Sequence, residues 1–178
     1  MNDTGREARQ RELVSRWVHD HGRSVLGYLV GLVRNRSLAE DLLQDVFCRA
    51  WQARHRYTDT GKERAYLLRI ADRLACDSTR RPRKEIQVAD DALRAIEPAD
   101  GDPSPWESLV RREANEQLDA ALETLSEPQR RVLLLRYYGD LGFAEIAEIV
   151  RAPLNTVLSH NRRGLSALRK LLVETNES

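Results

Sequence analysis

Little in this sequence points to covalent chemistry, and each shortage removes a class of function. Among 178 residues there are two cysteines, Cys48 and Cys76, and they share no CxxC spacing. That excludes a zinc ribbon and a disulfide framework, and both are expected to be reduced, partly buried thiols. The four histidines, His19, His21, His55 and His160, are scattered. His19 and His21 would point to different faces of a helix, so no metal site is expected. No phosphate-cradling glycine loop, nucleophile elbow or HExxH is present, so neither a cofactor nor an enzymatic activity is expected. No apolar run approaches the roughly 18 residues a membrane span requires, and the polar start MNDTGREARQRE has no signal-peptide core. The expectation is a cytoplasmic protein without membrane insertion.

Net charge is scarce too, at +1, and by itself argues for no partner. Its distribution says more. Residues 1–48 are neutral, 49–84 carry +7, 85–127 carry −9, and 128–178 carry +3. Two basic blocks separated by an acidic one suggest two nucleic-acid-facing modules joined by a segment that avoids phosphate.

The last fifty or so residues carry the strongest local pattern. Phe143, Ile146, Ala147 and Val150 recur at helical spacing, and Pro153 forces the chain to turn. Asn155 or Thr156 can cap a second helix, with Val157, Leu165, Leu168 and Leu172 inward and Ser159, His160, Arg162, Arg163, Arg169 and Lys170 outward. That is a helix-turn-helix pattern, its second helix shaped for a major groove. On spacing alone, a bundle helix with an ordinary charged surface fits equally well.

Upstream, Leu13, Trp17, Val18, Val25, Leu29, Leu32 and Val33 predict one or two helices, loosened near Gly22. Ser37 and Glu40 form a capping box for a helix over 38–54 that turns Leu42, Leu43, Val46, Phe47 and Ala50 inward. Asp41, Gln44, Asp45 and Arg49 share its outer side, either as a solvated face or as a docking strip. Gly61 suits a turn in the 57–62 loop. A third helix over 63–80 buries Leu67, Ile70, Ala71, Leu74 and Ala75, and Arg64, Arg69, Arg73, Arg80 and Arg81 supply the positive block. Trp51, Tyr57 and Tyr66 among these arginines suit unstacked bases, or the packed rim of a core. Residues 83–104 read as an acidic linker bearing proline. Ser104 and Glu107 make a second capping box, Ser126 and Gln129 a third, and Gly139 and Gly142 bracket the step into the helix-turn-helix.

Taken together, residues 38–51 (LAEDLLQDVFCRAW), 64–81 (RAYLLRIADRLACDSTRR) and 125–172 resemble extracytoplasmic-function sigma factors of the bacterial sigma-70 family. The resemblance covers nearly the whole chain in order. It implies an all-α fold of two small helical domains: sigma region 2 over 1–84, an acidic linker over 85–104, and sigma region 4 over 105–178. It further implies that Asp41, Gln44 and Asp45 dock on the β′ clamp helices of core RNA polymerase, which displaces the solvated reading, and that region 4 meets the β flap. Tyr57, Arg64, Tyr66, Arg69, Arg73, Arg80 and Arg81 then capture and open the −10 element of promoter DNA. Asn155, Thr156, Leu158, Ser159, His160, Arg162 and Arg163 read the −35 element. An anti-sigma factor is an expected partner, and with only six residues after Leu172 no appended sensory domain is expected.

The chain departs from the family pattern in places. Arg151 stands where the inter-helix turn usually holds glycine, so the backbone either avoids the left-handed region or costs on the order of a kcal/mol. Leu158 and His160 replace a lysine and an arginine, which points to an unusual −35 sequence or weaker DNA affinity. Tyr66 stands where tryptophan is common. Two alternatives remain: a stand-alone helix-turn-helix regulator, and a sigma-like protein-interaction element with weakened DNA binding.

Overall fold

The computed structural model describes residues 3–58, 60–80, 118 and 120–176. Along them run α1 (Asp3–Val33), α2 (Arg36–Ala53), a 3-10 turn (Arg54–Arg56), α3 (Glu63–Arg80), α4 (Glu127–Tyr137), α5 (Phe143–Val150) and α6 (Leu154–Asn176). Among the described residues there is no strand. The expected linker, the Ser104 capping box, Arg81, and the side chains of Arg80 and Leu172 lie outside the described residues.

Helix α1 runs unbroken through Gly22, so the expected loosening is absent. Trp17, Val25, Tyr28 and Leu29 are each almost wholly buried, and packing on both sides of the glycine outweighs its entropic cost of about 1 kcal/mol. The chain then reverses at Arg34, whose φ is 55°. Asn35, not Ser37, caps α2: its side-chain oxygen accepts the Leu38 amide at 2.8 Å. Asparagine caps as well as serine does, and the earlier start lets Arg36 and Glu40 pair at 2.8 Å one turn apart. Glu40 is thereby committed to Arg36. At α4 the expected box is present on its return side, where the Ser126 amide donates to Gln129 Oε1 at 3.2 Å.

Helices α1, α2 and α3 pack around Trp17, Leu29, Val46, Ala50, Leu67 and Ala71. Helices α4, α5 and α6 pack around Val132, Leu133, Leu135, Ile146 and Val157. The turn between α5 and α6 settles the question at Arg151, which adopts φ 54°, ψ 48°, the left-handed conformation glycine would take without cost. The Ala152 amide closes the turn on the Ala147 carbonyl at 3.1 Å. Neither Asn155 nor Thr156 caps α6. The helix starts at Leu154, and the Pro153 carbonyl accepts the Thr156 and Val157 amides at 2.9 and 3.2 Å. Proline's fixed φ suits that position, and its missing amide is not needed there.

Helix α6 also sits differently on its neighbour than its leucines suggested. Leu165 is exposed, and the buried position is Gly164, where an added Cβ would lie 2.8 Å from Leu133 Cδ1. Consecutive helical residues diverge by about 100°, so packing on Gly164 turns Leu165 outward. Cys48 is exposed rather than partly buried; Cys76 is half-buried.

The two halves share one continuous core. Leu134 of α4 fits against Gly31 of α1, and Leu68 of α3 against Gly139, where an added Cβ would approach to 2.7 Å in each case. Between them lies Asp72, the one charged residue buried among the described residues. Its carboxylate accepts both the Arg131 Nε and a terminal guanidinium nitrogen, and its Oδ1 accepts the Tyr28 hydroxyl at 2.6 Å. A bidentate arginine and a phenol together satisfy a carboxylate that would otherwise be costly to bury. Burial and the Asp72 charge push the Tyr28 phenol well above its ordinary value, while Asp72 raises the Arg131 guanidinium despite its partial burial.

Two expectations test this packing. Gly164→Val should destabilise the fold by roughly 1–3 kcal/mol through overpacking against Leu133, read as a lower urea midpoint at unchanged slope. The raised Tyr28 pKa means the folded state keeps its proton where the unfolded chain loses it. Its stability contribution is present below pH 10 and falls as pH rises further, at up to about 1.4 kcal/mol per pH unit. Tyr28→Phe should flatten that alkaline slope in unfolding titrations.

Candidate functional site

Three surfaces gather the side chains singled out in the sequence. On α2, Asp41, Gln44, Asp45 and Arg49 are all exposed along one side. Beside them lies an apolar groove of about 540 Å³ lined by Val14, Val18, Leu43, Phe47, Cys48 and Trp51, with Gln44 at its edge. Leu43 and Phe47, expected inside, are half-buried walls of this groove, and Val18 is 47% exposed. The reason is geometric: α1 and α2 meet along Leu42, Val46 and Ala50, so residues one position on are turned to the edge of the contact. A carboxylate-and-amide ridge beside an open apolar groove fits a partner helix carrying both basic and apolar groups.

The second surface is the outer side of α3 and the loop before it. Gly61 takes φ 68°, as its place in the turn requires. Tyr57 stands edge-on to Trp17 with centroids 4.7 Å apart, and Tyr66 lies 5.9 Å from Trp17 and 5.0 Å from Tyr57. Burial raises the Tyr66 phenol. The packed-rim reading of Tyr66 therefore holds, and the cluster ties the loop to α1 and α3. Nearby, burial and then the Arg64 charge lower the His21 imidazole. Arg69 and Arg73 are exposed one turn apart, and Arg64 is partly exposed. The Arg54 guanidinium lies 3.8 Å from the Trp51 ring centroid.

The third surface is α6. Asn155, Leu158, Arg162 and Arg163 are exposed, whereas Thr156, Ser159 and His160 are half-buried, with His160 Nδ1 fully covered. The seven candidates thus divide, four outward and three against the body of the half. Leu154, Leu158 and Leu165, all exposed, make the outer face more apolar than its arginines alone suggest.

Sequence reasoning missed the residues that join the surfaces. Asp140 pairs with Arg64 at 3.2 Å, Glu148 with Arg69 at 3.1 Å, Glu123 with Arg34, and Arg131 with Asp72. Each pair crosses from one half to the other. One signal was available: Asp72 interrupts the apolar stripe of Leu68, Ala71 and Ala75, and a carboxylate there needs a cationic partner. Nothing comparable marks Asp140 or Glu148, which are acids on exposed surfaces.

These surfaces are built for binding. Among the described residues no group of three His, Cys, Asp or Glu side chains is placed to hold a metal ion, and no helix is long and apolar enough to cross a membrane. Comparison with known proteins gives the family. The model for sigma-70 region 2 matches residues 17–85, and that for sigma-70 region 4 matches residues 115–168. The ECF RNA polymerase sigma factor SigM of Bacillus subtilis is 30% identical over 147 residues, covering 81% of this chain and 87% of SigM. SigK of Mycolicibacterium vanbaalenii, another ECF sigma factor, is 27% identical, covering 83% of this chain and 76% of its own. The fold resembles that of the sigma factor RpoE in its complex with the anti-sigma factor NepR from Bartonella quintana. There the TM-score is 0.70 at 23% identity, with 89% and 95% of the two chains covered. CnrH, solved with the cytosolic domain of CnrY, gives a TM-score of 0.67 at 19% identity, covering 92% of this chain and 90% of CnrH. The chain belongs to the ECF RNA polymerase sigma factors of the sigma-70 family, initiation factors that bind core RNA polymerase and promoter DNA and give the enzyme its choice of promoter.

Proposed function

We propose that residues 1–84 act as region 2 and dock core RNA polymerase through the Asp41, Gln44 and Asp45 ridge, with the β′ clamp helices as the counterpart. The observation that carries this is the exposed ridge running beside an apolar groove on the same helix pair. Charged groups steer the encounter and set its orientation, while the groove supplies the apolar burial. Residues 105–178 act as region 4 and meet the β flap, with 85–104 as the tether. The protein does no chemistry of its own. It works in the cytoplasm, where the polymerase is.

Promoter DNA is gripped at two places. Arg64, Arg69 and Arg73, followed by Arg80 and Arg81, hold the phosphates of the opened −10 strand. Tyr57 and Tyr66, half-buried against Trp17, brace the loop and offer what remains exposed of their rings to an unstacked base. Opening a base pair costs a few kcal/mol, which stacking and arginine–phosphate contacts together offset. At the −35 element, Asn155 and Leu158 face the bases, Leu158 against a thymine methyl, while Arg162 and Arg163 contact phosphates. Thr156, Ser159 and His160, turned toward the body of the half, orient the helix from behind. An anti-sigma factor controls the protein, a reading supported by the structural neighbour RpoE, solved in complex with the anti-sigma factor NepR. A pull-down that recovers polymerase subunits and no other specific protein would count against it.

One observation favours a second reading for the −35 contact. The exposed line of Leu154, Leu158 and Leu165 would suit a protein partner as well as a groove, with DNA affinity correspondingly weak. The variant Arg162→Ala/Arg163→Ala separates the two. If the helix reads DNA, binding to −35 duplex should weaken and the log–log salt slope should shrink by about 0.9 per lost phosphate contact. Unchanged promoter activity would favour the protein-partner reading.

For the polymerase ridge, Asp41→Lys/Asp45→Lys should lower affinity for core enzyme at least about tenfold, a loss of about 1.4 kcal/mol, and abolish run-off transcription at unchanged helix content. Undiminished association and initiation would overturn the docking assignment.

A further inference from the structure

We propose that Leu154 and Leu158 read the −35 element as a pair, each seated on the C5 methyl of a thymine, so that this chain selects two closely spaced thymines. This rests on the reading of α6 as the helix that enters the −35 major groove. Among the described residues five large hydrophobic side chains are exposed, and three of them, Leu154, Leu158 and Leu165, stand on α6. A single exposed leucine is ordinary, whereas three on one helix form a strip of the kind that marks a contact surface.

Helix geometry gathers the three. At about 100° per residue they fall within about 40° of arc, and Arg162 follows about 40° beyond Leu158, with Asn155 about 20° further round. Val157 and Gly164, both buried, hold the helix against the body of its half. Charge decides what the strip faces. Arg162, Arg163, Arg169 and Lys170 are all exposed on α6, and the helix has no acid before Glu174. An apolar strip bordered by cations alone is complementary to a polyanion.

The thymine methyl is the one apolar group that the four bases present in the major groove. Leucine has no donor, so over guanine or adenine it would cover N7 or O6 acceptors and leave them unpaired. Selection therefore has an attractive part and a repulsive one. Leu154 and Leu158 stand about 6 Å apart along the helix, against about 3.4 Å per base step, which sets their thymines one or two steps apart. Leu165 lies about 10 Å beyond Leu158, past the N-terminal part of a recognition helix that meets base edges.

The test uses holoenzyme assembled from the full-length chain and core polymerase, and promoter duplexes it selects from a pool randomised across both elements. Selection should enrich two thymines within the −35 element, one or two steps apart. The selected duplex is then remade with deoxyuridine at those positions, which removes the methyls and keeps every hydrogen-bonding group. Each replacement should weaken binding about fourfold, and both together at least about tenfold. With Leu154→Ala/Leu158→Ala the same double replacement should cost less than about twofold, because the methyls have lost their partners. Both leucines are exposed and alanine favours helix, so this variant keeps the fold. Leu165→Ala should keep the full deoxyuridine penalty. No enriched thymine pair, no penalty in the unaltered holoenzyme, or an equal penalty in the Leu154→Ala/Leu158→Ala variant overturns the methyl reading. Weaker binding by Arg162→Ala/Arg163→Ala then leaves the −35 assignment of α6 intact and gives the leucine strip to a protein partner. No loss in that arginine variant overturns both.

Discussion

The Asp72 carboxylate sits where three helices from two halves of the chain converge, with Arg131 gripping it from α4 and Tyr28 from α1. A buried ion pair adds little net stability over an apolar pair of similar shape, but losing one partner leaves an uncompensated charge. Its physical effect is therefore selective. Any other seating of α4 against α1 and α3 would leave Asp72 or Arg131 unpaired. The glycines enforce the same seating by shape, since Gly31 and Gly139 admit Leu134 and Leu68 only at the observed approach. Charge and shape together set one relation between the halves.

The binding surfaces are built on different physics from this seam. They lie on helices whose inner faces are fully committed, such as Leu42, Val46 and Ala50 on α2 and Leu67, Ala71 and Leu74 on α3. Rigid backs allow exposed acids and arginines to hold their spacing while remaining solvated, so they can exchange partners at low cost. Arg151 shows the same scaffold tolerating a local penalty. Its left-handed conformation costs on the order of a kcal/mol for a residue with a Cβ. The Ala152–Ala147 hydrogen bond and the burial of Ile149 and Val157 on either side offset it. The angle between α5 and α6 is thereby kept without the usual glycine.

The present structure places a buried ion pair, Asp72 with Arg131, at the seam and exposed ones at Arg64 and Arg69. That distribution separates the question of whether the halves are joined from the question of what the arginines touch. In this nearly neutral chain, Asp140 and Glu148 lie opposite its own Arg64 and Arg69.

The all-α two-domain fold followed from the family resemblance, and spacing alone left the helix-turn-helix level with a plain bundle. Helical periodicity and proline and glycine punctuation were enough to read the helices and the exposed side of α2 with Asp41, Gln44 and Asp45. Those features depend on residues within a turn or two of one another, where spacing alone decides which side chains share a face. What depended on competition between near-equal local choices went to the tertiary structure: Asn35 over Ser37 as a cap, Pro153 over Asn155 at the start of α6, and Leu165 outward because Gly164 met Leu133. Tyr66 resolved toward packing only because Trp17 and Tyr57 came to it from distant parts of the chain. The links between Asp72 and Arg131, Arg64 and Asp140, and Arg69 and Glu148 had no local signature beyond one acid in an apolar stripe. They join residues 59 to 79 positions apart, and only the folded chain brings such charges within reach of one another.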